Sequence, residues 1–424
     1  MVDVMVAVMP FVGHVAPLAA VVEAFLADGH TVRVYTGAAH APRFRALGAE
    51  VVLWRAAPDF DENDLEAAFP ALRDRKGPRQ MLANVEQIFI ATGARQLEDL
   101  SAAWDERPWD VIVADGLSQG AHLAFERFGS PWVTVGIVPL SFLSPELPPP
   151  MLGLRPSRSA LGRARDAALR SLVRITTRGM QRSYERQRSA AGLPLAGRRF
   201  EQAWYSPQLF CASGVPELEF PRSDYPTRVV FVGALASPAS SLPRPDWWDE
   251  IAAPGAPVVH VTQGTLNVDP DDLLRPAMTA LGRQGVRIVA ATGRRGVQQL
   301  PFPVPSNAYV ADLLPYDDLL PRVDVMLTNG GWGGVLAALE HGIPLVVAGG
   351  DIDKPDIAAR IDWTGAGISL RTGTPSPRAV LDGWRRVSSD ASYRAAAERI
   401  GESLRRHNGP AEVVAHTLAL LEGR

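Results

Sequence analysis

"LTNGGWGGVLAALEHG", residues 327–342, is the stretch on which the interpretation of the whole chain depends. Four glycines lie within five positions around Trp332, and apolar residues at helical spacing follow. Glycine permits unusual backbone dihedral angles and close approach to the backbone. Because the first turn of a helix has free N–H groups and a partial positive charge, an anion site is one interpretation. A tight strand-to-helix turn with close packing is the other.

The composition is that of a globular protein of roughly two or three domains. The chain has 424 residues and a formal net charge of −3, so no global field directs it to nucleic acid or to a membrane. Cys211 is the only cysteine, which excludes a disulfide framework and a cysteine-based zinc site. The N-terminal run lacks the basic region of a signal peptide, and no apolar run has the length of a membrane span. We therefore expect a soluble cytoplasmic protein with neither nucleic acid nor membrane as partner.

Strand and helix patterns alternate along the chain in two series. The first series has strand patterns at residues 2–9, 30–37, 49–55, 109–116 and 131–138, with helix patterns at 16–29, 41–48 and 118–129. The second has strand patterns at 256–265, 286–293, 323–330 and 343–350, with helix patterns at 271–285, 333–341 and 353–365. Repeated strand–helix–strand units predict parallel sheets that are covered by helices on both faces.

Two such series predict an α/β protein with two doubly wound parallel-sheet domains. A cleft between them, at the carboxyl ends of the strands, is the expected ligand site. The predicted units are an N-terminal domain (1–220), a Pro- and Ser-rich linker (221–245), a C-terminal domain (246–390) and two closing helices (391–424).

Two segments interrupt this rhythm. Residues 139–159 form a proline-rich loop, and residues 160–188 an arginine-rich helical stretch. A basic amphipathic helix is able to lie on a membrane or on nucleic acid. A solvated helix face is the favoured interpretation here, because no aromatic or basic cluster extends the stretch elsewhere.

The motifs of the common nucleotide-binding folds are missing. No G-x-G-x-x-G follows the first strand, and no G-x-x-x-x-G-K-[ST] occurs, so dinucleotide and P-loop chemistry are unsupported. Instead the first strand ends in MPFVGHVAPL, residues 9–18, with His14 predicted in the loop before the first helix. A lone loop histidine is often incidental. This one stands at the carboxyl end of a strand, where ligands of such sheets bind.

At this point the chain resembles the nucleotide-sugar-dependent glycosyltransferases of the GT-B fold, in particular bacterial enzymes that glycosylate natural products. The resemblance covers essentially the whole chain. Its landmarks are GHVAPL (13–18), VIVADG (111–116), VTQGT (261–265), LLPYDDLLPRVDVMLTNGGWGGVLAALEHGIPLVV (313–347) and DIDKPDIAARI (351–361). It implies two Rossmann-like domains facing across a cleft, with the acceptor bound by the first and the nucleotide sugar by the second.

The resemblance makes His14 the catalytic base and Asp115 its partner. An acceptor hydroxyl is a poor nucleophile, and a neutral imidazole removes its proton as it attacks the anomeric carbon. A carboxylate on the other ring nitrogen fixes the tautomer and stabilises the imidazolium that forms. The alternative for Asp115 is that it caps the helix that follows it.

On the donor side, the resemblance implies that backbone N–H groups of Gly333 and Gly334 hold the leaving diphosphate. The backbone of Leu314 would hold the base, while Asp353 and Lys354 fall on a pair that contacts the sugar hydroxyls. The full predicted donor-binding set is Thr265, Leu314, Asn329, Gly330, Gly331, Trp332, Gly333, Gly334, Asp353 and Lys354.

Several positions depart from the family pattern. Thr265 matches the hydroxyl residue near the diphosphate, but Asn329 stands where the family has His, and Gly334 where it has Ser or Thr. An Asn amide is still able to donate a hydrogen bond. Leu313 replaces the aromatic residue that stacks on the base. Lys354 replaces Gln, which leaves the sugar open: a carboxylate-bearing sugar or a different hydroxyl pattern.

A metal site is the less favoured interpretation of "DID", residues 351–353, although this triplet looks like the D-x-D of the other glycosyltransferase fold. We expect no metal and no cofactor, because the helix N-terminus and the donor groups neutralise the leaving diphosphate.

The sequence thus predicts an inverting, metal-independent glycosyltransferase that uses a dTDP- or UDP-sugar and a hydroxyl of an apolar small molecule. The alternatives are a catalytically degenerate binding or auxiliary protein of the same fold, and an epimerase or phosphorylase. Formation of a homodimer stays open. The acceptor contacts are expected from residues 60–83 and 139–159, with ordinary loop packing as the alternative; the candidates are Phe69, Phe142, Leu143 and Met151.

Overall fold

The computed structural model describes residues 1–73, 77–195, 197, 199–236, 242–253, 255–264 and 269–423. Within them, seven parallel strands form a first sheet in the order β3-β2-β1-β4-β5-β6-β7, and six parallel strands form a second in the order β10-β9-β8-β11-β12-β13. Helices cover both faces of each sheet, which confirms the predicted pair of doubly wound domains.

The strands of the first sheet are β1 (Asp3–Ala7), β2 (Thr31–Thr36), β3 (Glu50–Leu53), β4 (Val111–Asp115), β5 (Trp132–Gly136), β6 (Leu209–Ala212) and β7 (Val229–Phe231). Those of the second are β8 (Val258–Thr262), β9 (Arg287–Ala291), β10 (Ala308–Ala311), β11 (Val325–Thr328), β12 (Leu345–Val347) and β13 (Gly367–Ser369). The central strands β4, β5 and β8 are buried along their whole length. This is why they read as continuous apolar runs rather than as an alternation.

The helices of the first domain are α1 (Val12–Ala27), α2 (Ala41–Ala46), α3 (Leu65–Ala68), α4 (Gly77–Asn84), α5 (Gly93–Glu106), α6 (Gln119–Phe128), α7 (Ala160–Thr176) and α8 (Arg178–Ala190). The remaining helices are α9 (Trp248–Ala252), α10 (Leu274–Leu281), α11 (Tyr316–Leu319), α12 (Trp332–Glu340), α13 (Lys354–Thr364), α14 (Pro377–Ser389), α15 (Ala391–Leu404) and α16 (Gly409–Glu422). Among the described residues, no helix is both long and apolar enough to cross a membrane.

Helix α1 begins earlier than its sequence pattern indicates. The N–H of Val15 already donates to the carbonyl of Phe11, so His14 lies in the first turn of α1 and not in a loop before it. The prediction took Pro17 as a first-turn residue, whereas it stands inside the helix. A proline there removes one i→i−4 hydrogen bond, which the burial of the apolar face of α1, with Leu18, Val21 and Val22, offsets.

Two predicted segments are organised differently in the structure. The stretch 221–245, expected to be a linker, contains β7, which pairs with β6 at the edge of the first sheet. The chain therefore leaves that sheet only after Phe231. The arginine-rich stretch 160–188 forms two helices, α7 and α8, that meet at Thr177.

The two closing helices serve different domains. Helix α15 packs on α12 in the second domain, where Ala397 and Ile400 join the core around Leu339. Helix α16 returns to the first domain and packs on α1, where Val413 and Val414 are buried. The chain therefore crosses between the domains twice.

Candidate active site at the interdomain cleft

Each sheet has a switch point, where the strand order reverses and a crevice opens beyond the strand ends. In the first sheet it lies between β1 and β4, and in the second between β8 and β11. His14 follows β1 and Asp115 ends β4. The glycine stretch follows β11 in the same way. His14, Asp115 and the glycine stretch therefore lie at the two positions where doubly wound sheets bind ligands.

His14 and Asp115 are in contact. Nδ1 of His14 lies 3.3 Å from Oδ1 of Asp115, close enough for an ion pair with a protonated ring, although the approach is not that of a linear hydrogen bond. The carboxylate is buried, while 15% of the His14 side chain stays exposed. One ring nitrogen thus faces the Asp115 carboxylate, and a small part of the imidazole stays accessible.

The Asp115 carboxylate is itself fixed by backbone donors. Its Oδ2 accepts a hydrogen bond from the N–H of Met9 at 2.7 Å, and its Oδ1 accepts one from the N–H of Leu117 at 2.8 Å. The residue that precedes α6 as its N-cap is Ser118, so Asp115 is not the cap of that helix. The helix-cap alternative for Asp115 is therefore contradicted.

Aromatic rings surround His14, and the sequence did not point to them. Phe11 lies 5.6 Å from the His14 ring between centroids, and Phe89 lies nearly parallel to it at 6.3 Å. Phe89 belongs to a π-helical segment, Val85–Ile90, between α4 and α5. A π-helical turn often occurs at a functional site, but no residue pattern announces it. Phe11 could have been predicted near the site, because it stands three residues before His14 in the motif MPFVGH.

Glycine stands at the positions of the stretch 327–342 for different structural reasons. Gly330 has φ of +92°, and an added Cβ would lie 3.0 Å from Cγ1 of Val347, so the turn itself requires glycine there. Among the residues that the structure describes, an added Cβ at Gly333 would meet nothing within 4 Å, and one at Gly334 would meet only Met326, at an ordinary contact distance of 3.6 Å. The packing interpretation therefore explains Gly330 but not Gly333. Gly331 is the N-cap of α12 and has no side chain to cap it.

The N-terminus of α12 is free to bind an anion. The N–H groups of Trp332, Gly333 and Gly334 have no acceptor in the part of the chain that the structure describes. The N–H of Val335 is the first one satisfied within the helix, by the carbonyl of Gly331 at 3.0 Å. Free N–H groups and the helix dipole together attract a phosphate.

Two side chains of the predicted donor set face the protein interior. The amide nitrogen of Asn329 donates to the carbonyl of Gln263, and its oxygen accepts a bond from the N–H of Gly331 at 3.3 Å. The Trp332 indole is buried and donates through Nε1 to Oγ of Ser213, in the first domain, at 2.9 Å. Trp332 therefore has only its backbone N–H for a ligand, and its ring serves the domain interface.

Asp353 and Lys354 form the entrance of α13 next to the glycine turn, where a Cβ at Gly330 would lie 3.7 Å from Cβ of Lys354. Lys354 Nζ pairs with Oδ1 of Asp351 at 2.9 Å. Asp353 keeps part of its surface open, yet desolvation by the surrounding protein raises the pKa of its carboxyl group, with the charges of Lys354 and His14 acting in the opposite direction. Asp353 and Lys354 thus place a carboxyl group and an amino group beside the glycine turn.

The remaining donor predictions are placed as follows. Leu314 lies between β10 and α11 with its side chain in the core, so only its backbone is left for a ligand. The prediction for Thr265 falls outside the described residues, which resume at residue 269 after Gly264.

The acceptor candidates separate into two groups. Phe142 packs against Tyr205 and Phe210 at 4.6 and 4.9 Å between centroids, and Phe69 packs against Phe60 at 5.5 Å. Both rings are buried among these neighbours and take part in loop packing, and their role as acceptor contacts stays a prediction. Leu143 and Met151 keep part of their surface exposed.

Comparison with solved structures gives the class of fold. The glycotransferase of kitacinnamycin superposes with a TM-score of 0.73 at 21% identity, covering 99% of this chain and 98% of that chain. The spinosyn rhamnosyltransferase SpnG in complex with thymidine diphosphate gives 0.68 at 19% identity, covering 98% of this chain and all of that one, 100%. These likenesses define a GT-B fold of two Rossmann-like domains.

Sequence comparison gives the family. Residues 276–420 match the model described as erythromycin biosynthesis protein CIII-like, C-terminal domain. The chain is 39% identical over 425 residues to 4'-demethylrebeccamycin synthase of Lentzea aerocolonigenes, with 99% of both chains covered. It is 30% identical over 417 residues to UDP-glucosyltransferase A1 of Starmerella bombicola, covering 94% of this chain and 88% of that protein. The chain belongs to this family of natural-product glycosyltransferases, and the protein is a glycosyltransferase.

Proposed function

We propose that the protein is an inverting enzyme that transfers a sugar from a dTDP- or UDP-sugar to a hydroxyl of an apolar small molecule. The observation that carries this proposal is the pairing of His14 with Asp115 at the first switch point, across from Asp353 in the second domain. A base held by a buried carboxylate on one side of a cleft, with an anion site on the other, suits a single displacement at an anomeric carbon.

On the acceptor side, His14 takes the hydroxyl proton as the acceptor oxygen attacks. Nδ1 faces Asp115, so the proton goes to Nε2, and the resulting imidazolium is stabilised by the carboxylate. Both oxygens of Asp115 accept backbone hydrogen bonds, which hold the carboxylate in place beside the His14 ring. One bond to the anomeric carbon forms as the bond to the diphosphate breaks, which inverts the configuration.

On the donor side, the N–H groups at residues 332–334 would receive the negative charge of the leaving diphosphate. They are already oriented, so no reorganisation is needed when that charge develops. Lys354 adds a positive charge beside the same turn. We propose that these groups act without a metal, and a chelator should therefore leave the activity unchanged.

What is known of relatives by name agrees with the proposed co-substrates. One is a UDP-glucosyltransferase, and one solved structure of this fold holds thymidine diphosphate. On the acceptor side, Phe11 and Phe89 give His14 an apolar surrounding in which a flat aromatic alcohol would fit. The base of the donor, the cytoplasmic location and the homodimer stay predictions.

The test is acceptor-dependent release of nucleoside diphosphate. The protein is incubated with UDP-glucose or dTDP-glucose and a set of aromatic alcohols and macrolides. Release that requires an acceptor supports transfer, and the anomeric coupling constant of the glycoside shows whether the configuration inverts. Retention of configuration would overturn the single-displacement mechanism.

The alternative is a binding protein of the same fold without turnover. The departure at Asn329 motivates it, since the Asn329 amide bonds to the carbonyl of Gln263 and the N–H of Gly331, but the relatives are named as enzymes. A protein that binds UDP or dTDP but releases no diphosphate with any acceptor would support it.

A further inference from the structure

The proline-rich loop of the first domain is bonded to a helix of the second. We call residues 139–159 the acceptor loop. Within it, the N–H of Met151 donates to Oδ2 of Asp356 at 2.6 Å, and the N–H of Gly153 donates to Oδ1 of the same carboxylate at 2.8 Å. Asp356 lies in the first turn of α13. One carboxylate of the donor domain thus binds two backbone groups of the acceptor loop.

The loop backbone is shaped for this contact. Met151 has φ of +70° and Gly153 has φ of +61°. A left-handed conformation is unfavourable for a residue such as methionine and persists only where its surroundings hold it. At Gly153 an added Cβ would lie 2.9 Å from Cβ of Pro355. Glycine therefore lets the loop lie directly on the start of α13.

A second contact fastens the beginning of the loop to the same helix. Arg360, one turn after Asp356, bonds to Oε2 of Glu219 through Nε and Nη2 at 2.9 and 2.7 Å. Its Nη2 also donates to the carbonyl of Leu140 at 2.9 Å, and the N–H of Leu140 donates to Oε1 of Glu219 at 2.9 Å. Only 4% and 7% of the Arg360 and Glu219 side chains are exposed, so this ion pair is largely withdrawn from water.

The same helix carries the predicted sugar contacts. Asp353 is the N-cap of α13, Lys354 is its first residue, and Asp356 follows within that turn. A helical turn moves as one body, because its residues share backbone hydrogen bonds. A shift of Asp353 and Lys354 therefore also shifts Asp356 and the loop bonded to it.

We propose that Asp356 is a positioning residue that couples the nucleotide-sugar site to the acceptor loop. It holds Met151 and Gly153 in place from the opposite domain, so the wall of the acceptor site is complete only while α13 is in place. Donor binding at the start of α13 then strengthens the hold on the loop. This inference rests on the proposed function, which assigns the donor to α13 and the acceptor to the loop.

The experiment compares Asp356→Asn with Asp362→Asn. Asn keeps the size of the side chain but offers one acceptor where the loop presents two donors. Asp362 lies on the same helix and pairs with Arg155 of the same loop at 3.0 Å, but both side chains are partly exposed. The control therefore removes an interdomain charge pair without touching Met151 or Gly153.

Two quantities are measured in each protein. The first is the hydrogen-exchange rate of the Met151 and Gly153 amides, with and without saturating UDP and dTDP. The second is kinetic, with the acceptor 4-methylumbelliferone. We expect Asp356→Asn to speed exchange and raise the acceptor KM, each about tenfold, the scale of losing one charge-assisted hydrogen bond. The nucleotide Kd and kcat should change less than twofold, and Asp362→Asn should behave as wild type.

The outcomes separate this inference from the proposed function. If the acceptor KM is equal in Asp356→Asn and Asp362→Asn, the inference is wrong. Transfer of sugar by the wild type still supports the proposed function in that case. If the wild type transfers no sugar, the function fails, and the exchange rates still decide the coupling: nucleotide must slow exchange in the wild type and not in Asp356→Asn. If Asp356→Asn has a lowered melting temperature, Asp356→Ala replaces it in the experiment, because alanine has no side-chain NH2 to face the N–H groups of the loop.

Discussion

At the scale of the residue, His14 is where the proposed chemistry is concentrated. Replacing it with alanine should lower turnover by about two to four orders of magnitude, the usual scale for a positioned general base. The Kd for UDP or dTDP should hardly change, since His14 lies in the other domain. Steady-state kinetics and calorimetry test this. Near-normal turnover of His14→Ala on an unactivated alcohol would show that His14 is not the base.

Asp115→Asn provides a second test, in which we expect the stability of the fold to change as well as the turnover. Both oxygens of Asp115 accept a backbone N–H, from Met9 and Leu117. The side-chain NH2 of an asparagine would face one of these N–H groups, so two donors would oppose each other. Such a buried, unsatisfied pair lowers the free energy of unfolding by about 1–3 kcal/mol. We therefore expect lower turnover together with a lower melting temperature. A variant with full stability and full turnover would contradict both roles of the carboxylate.

We expect His260 to make the stability of the second domain depend on pH. Its Nδ1–H donates to the carbonyl of Val289 at 2.8 Å, so Nε2 accepts from the Tyr316 hydroxyl at 3.0 Å, and the neutral ring is fully satisfied. Burial lowers its pKa to about 4 from 6.5, and the hydrogen bond to Val289 opposes that shift. Between pH 6.5 and pH 4, His260 binds a proton in the unfolded chain but stays neutral in the folded protein. Stability present above pH 6.5 is therefore lost as the pH falls toward 4.

The expected loss is about 3 kcal/mol at its full extent, from the size of this shift. Urea unfolding at pH 7 and pH 4.5 measures it. In His260→Gln the difference between the two pH values should shrink, whereas in His341→Gln, a change at an exposed position, it should match wild type. Equal pH dependence in all three proteins would rule out His260 as the cause.

At the scale of the element, the start of α12 separates ligand binding from packing. Gly333→Val should leave stability unchanged, because an added Cβ meets no atom of the described residues within 4 Å. It should weaken UDP and dTDP binding strongly and barely affect uridine or thymidine, which lack the phosphates. Gly330→Ala is the matched control: its φ of +92° makes any side chain strained, so it should lower the melting temperature.

Calorimetric titration with the diphosphates and the bare nucleosides decides between the two interpretations. If Gly333→Val weakens the binding of diphosphates and bare nucleosides equally, or weakens neither, the diphosphate does not bind at the start of α12. The family residue at the turn gives a further comparison. Asn329→His should tighten diphosphate binding only if the new side chain leaves the carbonyl of Gln263 and reaches the ligand.

At the scale of the molecule, the two chain crossings between the domains lie against each other. An added Cβ at Gly233 would collide with the side chain of His407, and one at Gly409 with the carbonyl of Ala234. A single narrow hinge of this kind permits the domains to close on their substrates. Saturating nucleoside diphosphate should therefore change the interdomain angle and make the molecule more compact. Identical small-angle scattering profiles with and without ligand would contradict the closure.

Much of the fold and half of the site were predictable from local sequence. The β-strands β1, β4, β8 and β11 are continuous apolar runs, and each ends in a polar or glycine-rich motif, so the sheets and their ligand-binding edges could be placed in advance. The positions of His14 and of residues 329–334 follow from the same rule, since parallel strands present their carboxyl ends together, whereas Asp115 and the role of each residue were implied by the resemblance to the family. The start of α1 was missed because Pro17 imitates a first-turn residue.

The sequence by itself determined the two parallel sheets, the order of their motifs and the residues able to carry acid–base and anion chemistry, because these depend on local periodicity and on side-chain type. Tertiary structure alone decided which of them meet. The π-helical Phe89 beside His14, the indole of Trp332 turned to Ser213, and the bond from Asp356 to Met151 all join residues distant in the chain. Such contacts leave no periodic pattern. The first arises only when α1 and the π-helical segment pack within the first domain, and the other two only when the two domains pack across the cleft.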